Sequence, residues 1–190
     1  LSPMGRHDEA IAEIKRAQSL DPLSLIINSV VGDTYIKARQ YDLAIEYLNK
    51  TIEMDKNFVR AHRYLGEAYL EKGMYNEAIA AFRTADMLEG KSLERTESLQ
   101  RAYRTGGAEG FWRKQLEWLK ADSDKGALLD YAIATVYARL GDKGQALSWI
   151  EKAYHSHDPY IVYLKIDPPF DKFRSDPRVI DLMRRVGLPQ

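Results

Sequence analysis

The sequence repeats itself with a period of 34 residues, and this period constrains the fold more than any other feature. An apolar side chain occupies one register position five times in succession, while a tyrosine and a glycine recur at two others. The three series are Ile14, Leu48, Phe82, Leu116 and Ile150; Tyr35, Tyr69, Tyr103 and Tyr137; and Gly73, Gly107 and Gly141. A period of this length is typical of a solenoid, in which each unit packs against its neighbours.

Within one period the apolar residues recur every three or four positions, which is the spacing of one face of an α-helix. The third period contains two such stripes, and Gly73 separates them. Because a short turn between two helices makes them antiparallel neighbours, each period is predicted to be a helical hairpin. We expect Gly66 and Ala78 to lie where the two helices cross, with Tyr69 and Phe82 filling the space around the crossing.

These residues carry a family resemblance. The pattern Leu65-Gly66-x-x-Tyr69 followed by Ala78-x-x-x-Phe82 resembles the tetratricopeptide repeat, and the preceding period matches it as well. The resemblance covers roughly residues 1–156. It implies an all-α fold, an α-solenoid of antiparallel helical hairpins wound into a right-handed superhelix, with a concave inner face that binds peptides or partner domains. The motif is specific evidence for the fold but weak evidence for the function, because such arrays bind very many partners.

The register predicts a repeat array at residues 1–158 and a C-terminal capping segment at residues 159–190. The array consists of a partial first repeat 1–24, repeats 25–58 and 59–92, a degenerate repeat 93–126 and a last repeat 127–158. The repeat 93–126 is degenerate because Gln100 and Trp112 replace small residues at the helix crossing. Since the chain begins with Leu1 rather than methionine, we also expect it to be part of a longer protein.

The capping segment departs from the period, and its prolines Pro159, Pro168, Pro169 and Pro177 preclude long helices between them. Ser175 or Asp176 is predicted to cap a final helix that has Pro177 in its first turn and ends at Gly187. An open solenoid end exposes its core, so a terminal unit must cover it. Phe170 and Phe173 are therefore predicted to be buried side chains rather than ligand contacts.

A second resemblance concerns the C-terminal third. The stretches Leu164-Lys165-Ile166-Asp167-Pro168 and Phe173-Arg174-Ser175-Asp176-Pro177-Arg178 resemble the end of tetratricopeptide regions in certain large bacterial signalling proteins. The stretch from Arg139 to Tyr154 resembles the same group. Those proteins carry winged-helix DNA-binding or serine/threonine kinase domains upstream. The resemblance implies a C-terminal docking or sensory region of a cytoplasmic bacterial regulator.

Composition narrows the function classes. Lys and Arg together number 28, as do Asp and Glu, so the net charge of zero gives no support for nucleic-acid binding by this region. The absence of cysteine removes disulfides, thiolate zinc sites and cysteine nucleophiles. No apolar run approaches the roughly 20 residues that span a bilayer. We therefore expect neither a nucleic-acid partner nor a membrane partner.

No pattern of catalytic or cofactor-binding residues is present, and we predict no enzyme activity, cofactor or metal. His155-x-His157-Asp158 is the one cluster with metal-binding residue types, but two histidines at i and i+2 do not share a helix face, and a solvated turn is the stronger interpretation. Gly106 to Gly110 is rich in glycine but follows a helix, whereas a dinucleotide fingerprint follows a strand. This glycine-rich stretch is interpreted as the turn of a hairpin.

The first helix of each hairpin lines the inner face of such arrays. The register places eight candidate partner-binding residues there: Asp33, Lys37, Arg60, Arg63, Tyr64, Glu67, Arg101 and Tyr131. Arg60 and Arg63, flanked by Tyr64, are the predicted anchor, because arginine and tyrosine dominate interface hot spots. One family subtype clamps a C-terminal carboxylate with lysine and asparagine, but here Ser29, Asp33 and Tyr64 stand at those positions.

The sequence thus predicts a noncatalytic interaction scaffold whose partner is a protein or peptide segment, or another domain of the same polypeptide. The alternative, from a different class, is a self-association module that forms a homodimer.

Overall fold

The computed structural model describes residues 4–188, and these contain α-helices and 3₁₀ helices without any β-strand. The all-α fold class, built from helical hairpins, is confirmed. The described chain divides into two compact units, residues 6–104 and 105–188, and each unit has an apolar core of its own.

The first unit is a stack of helices that follow the 34-residue register. Its helices are α1 (His7–Leu20), α2 (Leu25–Lys37), α3 (Tyr41–Met54), α4 (Val59–Glu71), α5 (Tyr75–Leu88) and the first part of α6 (Glu94–Ser123). α2 packs against α3 and α4 against α5, within the predicted repeats 25–58 and 59–92. α1 packs against α2, and α3 against α4, so the core continues from one hairpin to the next.

The close approach of paired helices explains why glycine occupies positions 32 and 66. At Gly66 an added Cβ would lie 2.5 Å from the ring of Phe82, and at Gly32 it would lie 2.5 Å from Cγ of Leu48. The glycine of α2 therefore faces the apolar residue of α3, and the glycine of α4 faces that of α5. Tyr69 and Phe82 are half-buried, as the prediction for the crossing requires.

A positive φ angle recurs at the turn position of the 34-residue register in the described chain. Positive φ angles occur at Gly5 (76°), Arg39 (61°), Gly73 (74°), Gly107 (59°) and Gly141 (79°), each 34 residues after the last. Glycine populates this region without the steric cost that a side chain brings. Arg39 adopts it without that freedom, so the geometry is imposed by the register and not by glycine alone.

The helix α6 is interrupted at the position of this turn. Gly107 has φ 59° and ψ −149°, a conformation that is essentially restricted to glycine. The two parts of α6 on either side of Gly107 are therefore separate helical segments. The turn predicted for the glycine-rich stretch is confined to this one residue, since Gly110 is helical.

The second unit contains the rest of α6, a further hairpin and the C-terminal segment. Its later elements are α7 (Asp130–Arg139), α8 (Lys143–His155), two 3₁₀ helices (Pro159–Tyr163 and Pro168–Phe173) and α9 (Pro177–Val186). The end signals of α9 are confirmed. The side chain of Asp176 accepts a hydrogen bond from the backbone N–H of Arg178, Pro177 occupies the first turn, and Gly187 ends the helix with φ 81°.

The C-terminal segment supplies much of the core of the second unit. Phe170 is fully buried and Phe173 is nearly so, as predicted. They pack with α7, α8 and α9 in one cluster that also contains Tyr131, Ile150 and Leu182. The segment is therefore an integral part of the last hairpin's fold and not a separate appendage.

Candidate functional site

The surface formed by α2 and α4 brings together five of the residues predicted to bind a partner. The two helices contact each other. We call this surface the α2–α4 face; it comprises Asp33, Lys37, Arg60, Tyr64 and Glu67. Arg60 and Glu67 are exposed, and the other three are half-buried.

Tyr64 lies at the centre of the α2–α4 face. Burial raises the pKa of its phenol above the usual value, and the negative charge of Asp33 raises it further. The charges of Lys37 and Arg60 act in the opposite direction, and that of Glu67 acts with Asp33. The four charged residues are thus close enough to influence one hydroxyl. The hydroxyl is protonated at neutral pH, as in an ordinary tyrosine, and can donate a hydrogen bond.

Ion pairs within the first unit balance much of the charge near this face. Lys37 binds the carboxylate of Asp33 one turn earlier on α2. Arg63 points toward the end of α5, where its guanidinium lies 2.6 Å from Asp86 and also pairs with Glu89. Arg63, predicted to be half of the anchor, therefore fastens α4 to α5 and has its charge compensated internally.

The remaining two predicted residues lie elsewhere. Arg101 is exposed on the first part of α6, in the first unit. Tyr131 belongs to the second unit and is only 4% exposed. Its hydroxyl donates to Asp167 at 2.7 Å, its ring packs against Phe170, and burial is the largest cause that raises its pKa well above the usual value. Because the C-terminal segment covers Tyr131, we remove this residue from the candidate surface.

Sequence reasoning missed the acidic residues that bind Arg63 and Tyr131. Asp86 is only 7% exposed, and Asp158 is 1% exposed where it accepts hydrogen bonds from the backbone N–H groups of Tyr131 and Tyr160. Asp86 follows the buried Ala85 in a helix that the period predicts well, so a buried carboxylate there could have been suspected. Asp158 and Asp167 lie where the period has stopped, and no pattern pointed to them.

The histidine-rich turn after α8 has structural contacts. His155 lies 3.4 Å from Glu151, and Asp158 is used for the backbone hydrogen bonds already described. In residues 4–188 no group of three histidine, cysteine, aspartate or glutamate side chains is arranged to hold a metal ion. The same residues contain no helix with both the length and the hydropathy needed to cross a membrane. His62 is 9% exposed, and its ring nitrogen is hydrogen-bonded to the carbonyl of Lys56 at 2.9 Å.

Family models for the tetratricopeptide repeat match residues 32–92 and residues 1–22. Among curated proteins, human tetratricopeptide repeat protein 13 is 31% identical over 104 residues, which cover 55% of this chain and 12% of that protein. FK506-binding protein 5 of Rhizopus delemar is 32% identical over 71 residues, covering 37% of this chain and 18% of that protein. The TPR repeat-containing thioredoxin TDX of Arabidopsis thaliana is 27% identical over 85 residues, covering 45% and 22%.

The chain matches less than a quarter of the length of each of these relatives. Among solved structures, the crystal structure of the APC/C hetero-tetramer Cut9–Hcn1 aligns with 97% of this chain and 47% of that chain, with a TM-score of 0.45 and 16% sequence identity. Together, the matches to the family models and the relatives show that this chain contains tetratricopeptide repeats, over residues 1–22 and 32–92.

Proposed function

We propose that this chain is a noncatalytic protein-interaction module whose α2–α4 face binds a segment of a protein partner or of another domain of its own polypeptide. Tetratricopeptide repeat proteins commonly act as interaction scaffolds. The observation that carries the proposal is the cluster of charged side chains around the half-buried Tyr64 on a preformed helical surface. A rigid surface of this kind binds without first having to be ordered, so little affinity is lost to conformational entropy.

The first test reverses charges on the face. Peptides selected from a random displayed library should bind the wild-type chain. The double substitution Arg60→Glu/Glu67→Lys should weaken their binding about 10-fold or more, because it brings like charges together across the interface, which costs affinity. Both side chains are exposed, so the fold should be unaffected. Isothermal titration calorimetry with the selected peptides measures the effect.

The matched control is Arg83→Glu/Glu77→Lys, which makes the same charge changes at exposed positions of α5. Binding by this variant should equal that of the wild type. Equal losses in both variants, or no loss in the first, would contradict the location of the site. Arg63 is left unchanged, because its substitution would break the ion pairs to Asp86 and Glu89.

Self-association is the second candidate function, and an exposed apolar group favours it. Leu20, Leu23 and Ile26 are 81%, 79% and 57% exposed, at the end of α1 and the beginning of α2. Exposed apolar groups on a protein surface often mark interaction sites. If this group joins two copies, sedimentation equilibrium should detect a dimer that Leu23→Asp converts to a monomer. A wild-type chain that sediments as a monomer at high concentration would remove this candidate.

We propose in addition that the chain belongs to the docking or sensory part of a cytoplasmic bacterial regulatory protein and that it does not bind nucleic acid. The support for the bacterial setting is the resemblance carried by residues 139–154 and 164–178. The balanced numbers of acidic and basic residues support the absence of a nucleic-acid partner.

A further inference from the structure

Three cations lie on α2 and α4, and their surroundings differ. Lys37 is bound by Asp33, and Arg63 is bound by Asp86 and Glu89. Arg60 is exposed and forms no ion pair within residues 4–188. The positive charge of Arg60 is therefore the one on these two helices that no described counter-ion balances.

The hydroxyl of Tyr64 is a second hydrogen-bond donor on this face. Within residues 4–188 its hydroxyl makes no hydrogen bond, although the side chain is half-buried and fixed against the core of the first unit. Arg60 and Tyr64 are four residues apart on α4, so their side chains are neighbours on the same helix face. One helix face thus carries a guanidinium with several N–H donors and a phenol O–H donor, and no residue within 4–188 accepts a hydrogen bond from either.

A carboxylate fits this pair of donors best. It accepts two hydrogen bonds at once, and hydrogen bonds between charged partners are about twice as strong as neutral ones. The nearby Asp33 does not reverse this preference, because Lys37 already pairs with it. Glu67 lies one turn further along α4 and repels an acidic group there, so an approaching carboxylate is directed to the Arg60 end of the face.

We propose that Arg60 and Tyr64 together recognise an acidic side chain, aspartate or glutamate, within the partner segment that crosses the α2–α4 face. This inference rests on the proposed function. An internal side chain is favoured over a C-terminal carboxylate because the positions used by the known carboxylate clamp are unsuitable here. Ser29 is fully buried with its hydroxyl donating to the carbonyl of Ile26, and Asp33 is itself acidic.

The test is a double-mutant cycle with selected peptides that are acetylated at the N-terminus and amidated at the C-terminus. In the tightest of them, each aspartate or glutamate is changed in turn to asparagine or glutamine. One such change should weaken binding to the wild-type chain about 10-fold, which is the scale expected for one charged hydrogen-bonded pair. The same change should have little effect on binding to Arg60→Gln, because the partner of the carboxylate is then already lost.

Tyr64→Phe keeps the ring and removes the hydroxyl donor. It should therefore weaken binding of the acidic peptide and leave binding of the corresponding amide peptide unchanged. Arg83→Gln, at an exposed position of α5, is the control and should behave as the wild type. Coupling between Arg60 and one acidic position supports the inference. Binding without such coupling, or binding only by peptides with a free C-terminal carboxylate, overturns it.

The outcomes separate this inference from the function on which it rests. If the peptides bind and Arg60→Glu/Glu67→Lys weakens them, but no acidic position is coupled to Arg60, the interaction face stands and the acidic recognition is wrong. If no peptide binds, or if binding is insensitive to both substitutions on the α2–α4 face, the face and the recognition are both wrong.

Discussion

Replacing Phe170 by alanine is expected to lower the free energy of unfolding of the second unit by about 3–5 kcal/mol, the largest single effect expected in this chain. The side chain is 0% exposed and packs against Tyr131 with ring centroids 5.7 Å apart. The hydroxyl of Tyr131 is held by Asp167, and the backbone N–H of Phe170 bonds to the carbonyl of Asp167. Because Asp167 holds both Tyr131 and the backbone of Phe170, we expect the surroundings to relax only partly, so the energetic cost of the cavity adds to that of the lost apolar contacts.

Tryptophan fluorescence is suited to measuring this effect, because all three tryptophans, Trp112, Trp118 and Trp149, lie in the second unit. The urea midpoint of the fluorescence transition should fall sharply in Phe170→Ala. Tyr160→Ala, in the same segment but 61% exposed, should leave it nearly unchanged. Similar midpoints for the two variants would show that the C-terminal segment does not support the core as described.

The second large effect is expected at Gly32, where alanine should destabilise the first unit by about 1–3 kcal/mol. In an ordinary helix interior the same change stabilises by about 1 kcal/mol, because alanine is the better helix former. At Gly32 the new Cβ would lie 2.5 Å from Cγ of Leu48, which is fully buried and cannot move aside. The steric conflict therefore outweighs the helix propensity and reverses the sign.

Far-UV circular dichroism during urea unfolding measures this effect, because the first unit contains no tryptophan. The matched control is Gly144→Ala, where the nearest atom to the added Cβ would be an Asp142 oxygen at 3.6 Å, an ordinary contact. It should be neutral or slightly stabilising. Gly66→Ala should cost less than Gly32→Ala, since Phe82 is half-exposed and can rotate. A Gly32→Ala chain as stable as the wild type would mean that α2 and α3 do not approach as closely as described.

The helical hairpins could be predicted from the sequence because a strict period leaves few alternatives for the core. Leu48 and Phe82 recur in register, and the glycines that face them occupy equivalent positions one helix earlier. The turn at Arg39 could be placed by the register although it lacks glycine. These features are set by packing between consecutive helices, which is the kind of contact that a repeat pattern records.

The candidate site was only partly predictable, because charge pairing depends on contacts that do not recur. The register placed Arg63 and Tyr131 correctly on the first helices of their hairpins. It could not show that Asp86 and Glu89 neutralise Arg63, or that a non-repeating segment supplies Asp167 and Phe170 to cover Tyr131. Arg60 lies one turn before Arg63 on the same helix, yet Arg60 is exposed while Arg63 is ion-paired to Asp86 and Glu89.

The pairing of Arg63 with α5 means that residues outside the α2–α4 face would adjust the ligand preference proposed for that face. Asp86 and Glu89 lie outside the α2–α4 face, but they neutralise the charge of Arg63, which is one turn from Arg60 on α4. A homologue or variant with amides at both positions would gain positive potential beside the proposed acidic subsite while every residue of that subsite stayed the same. Changes in partner choice among related chains could therefore be sought among residues that a map of the contact surface alone would omit.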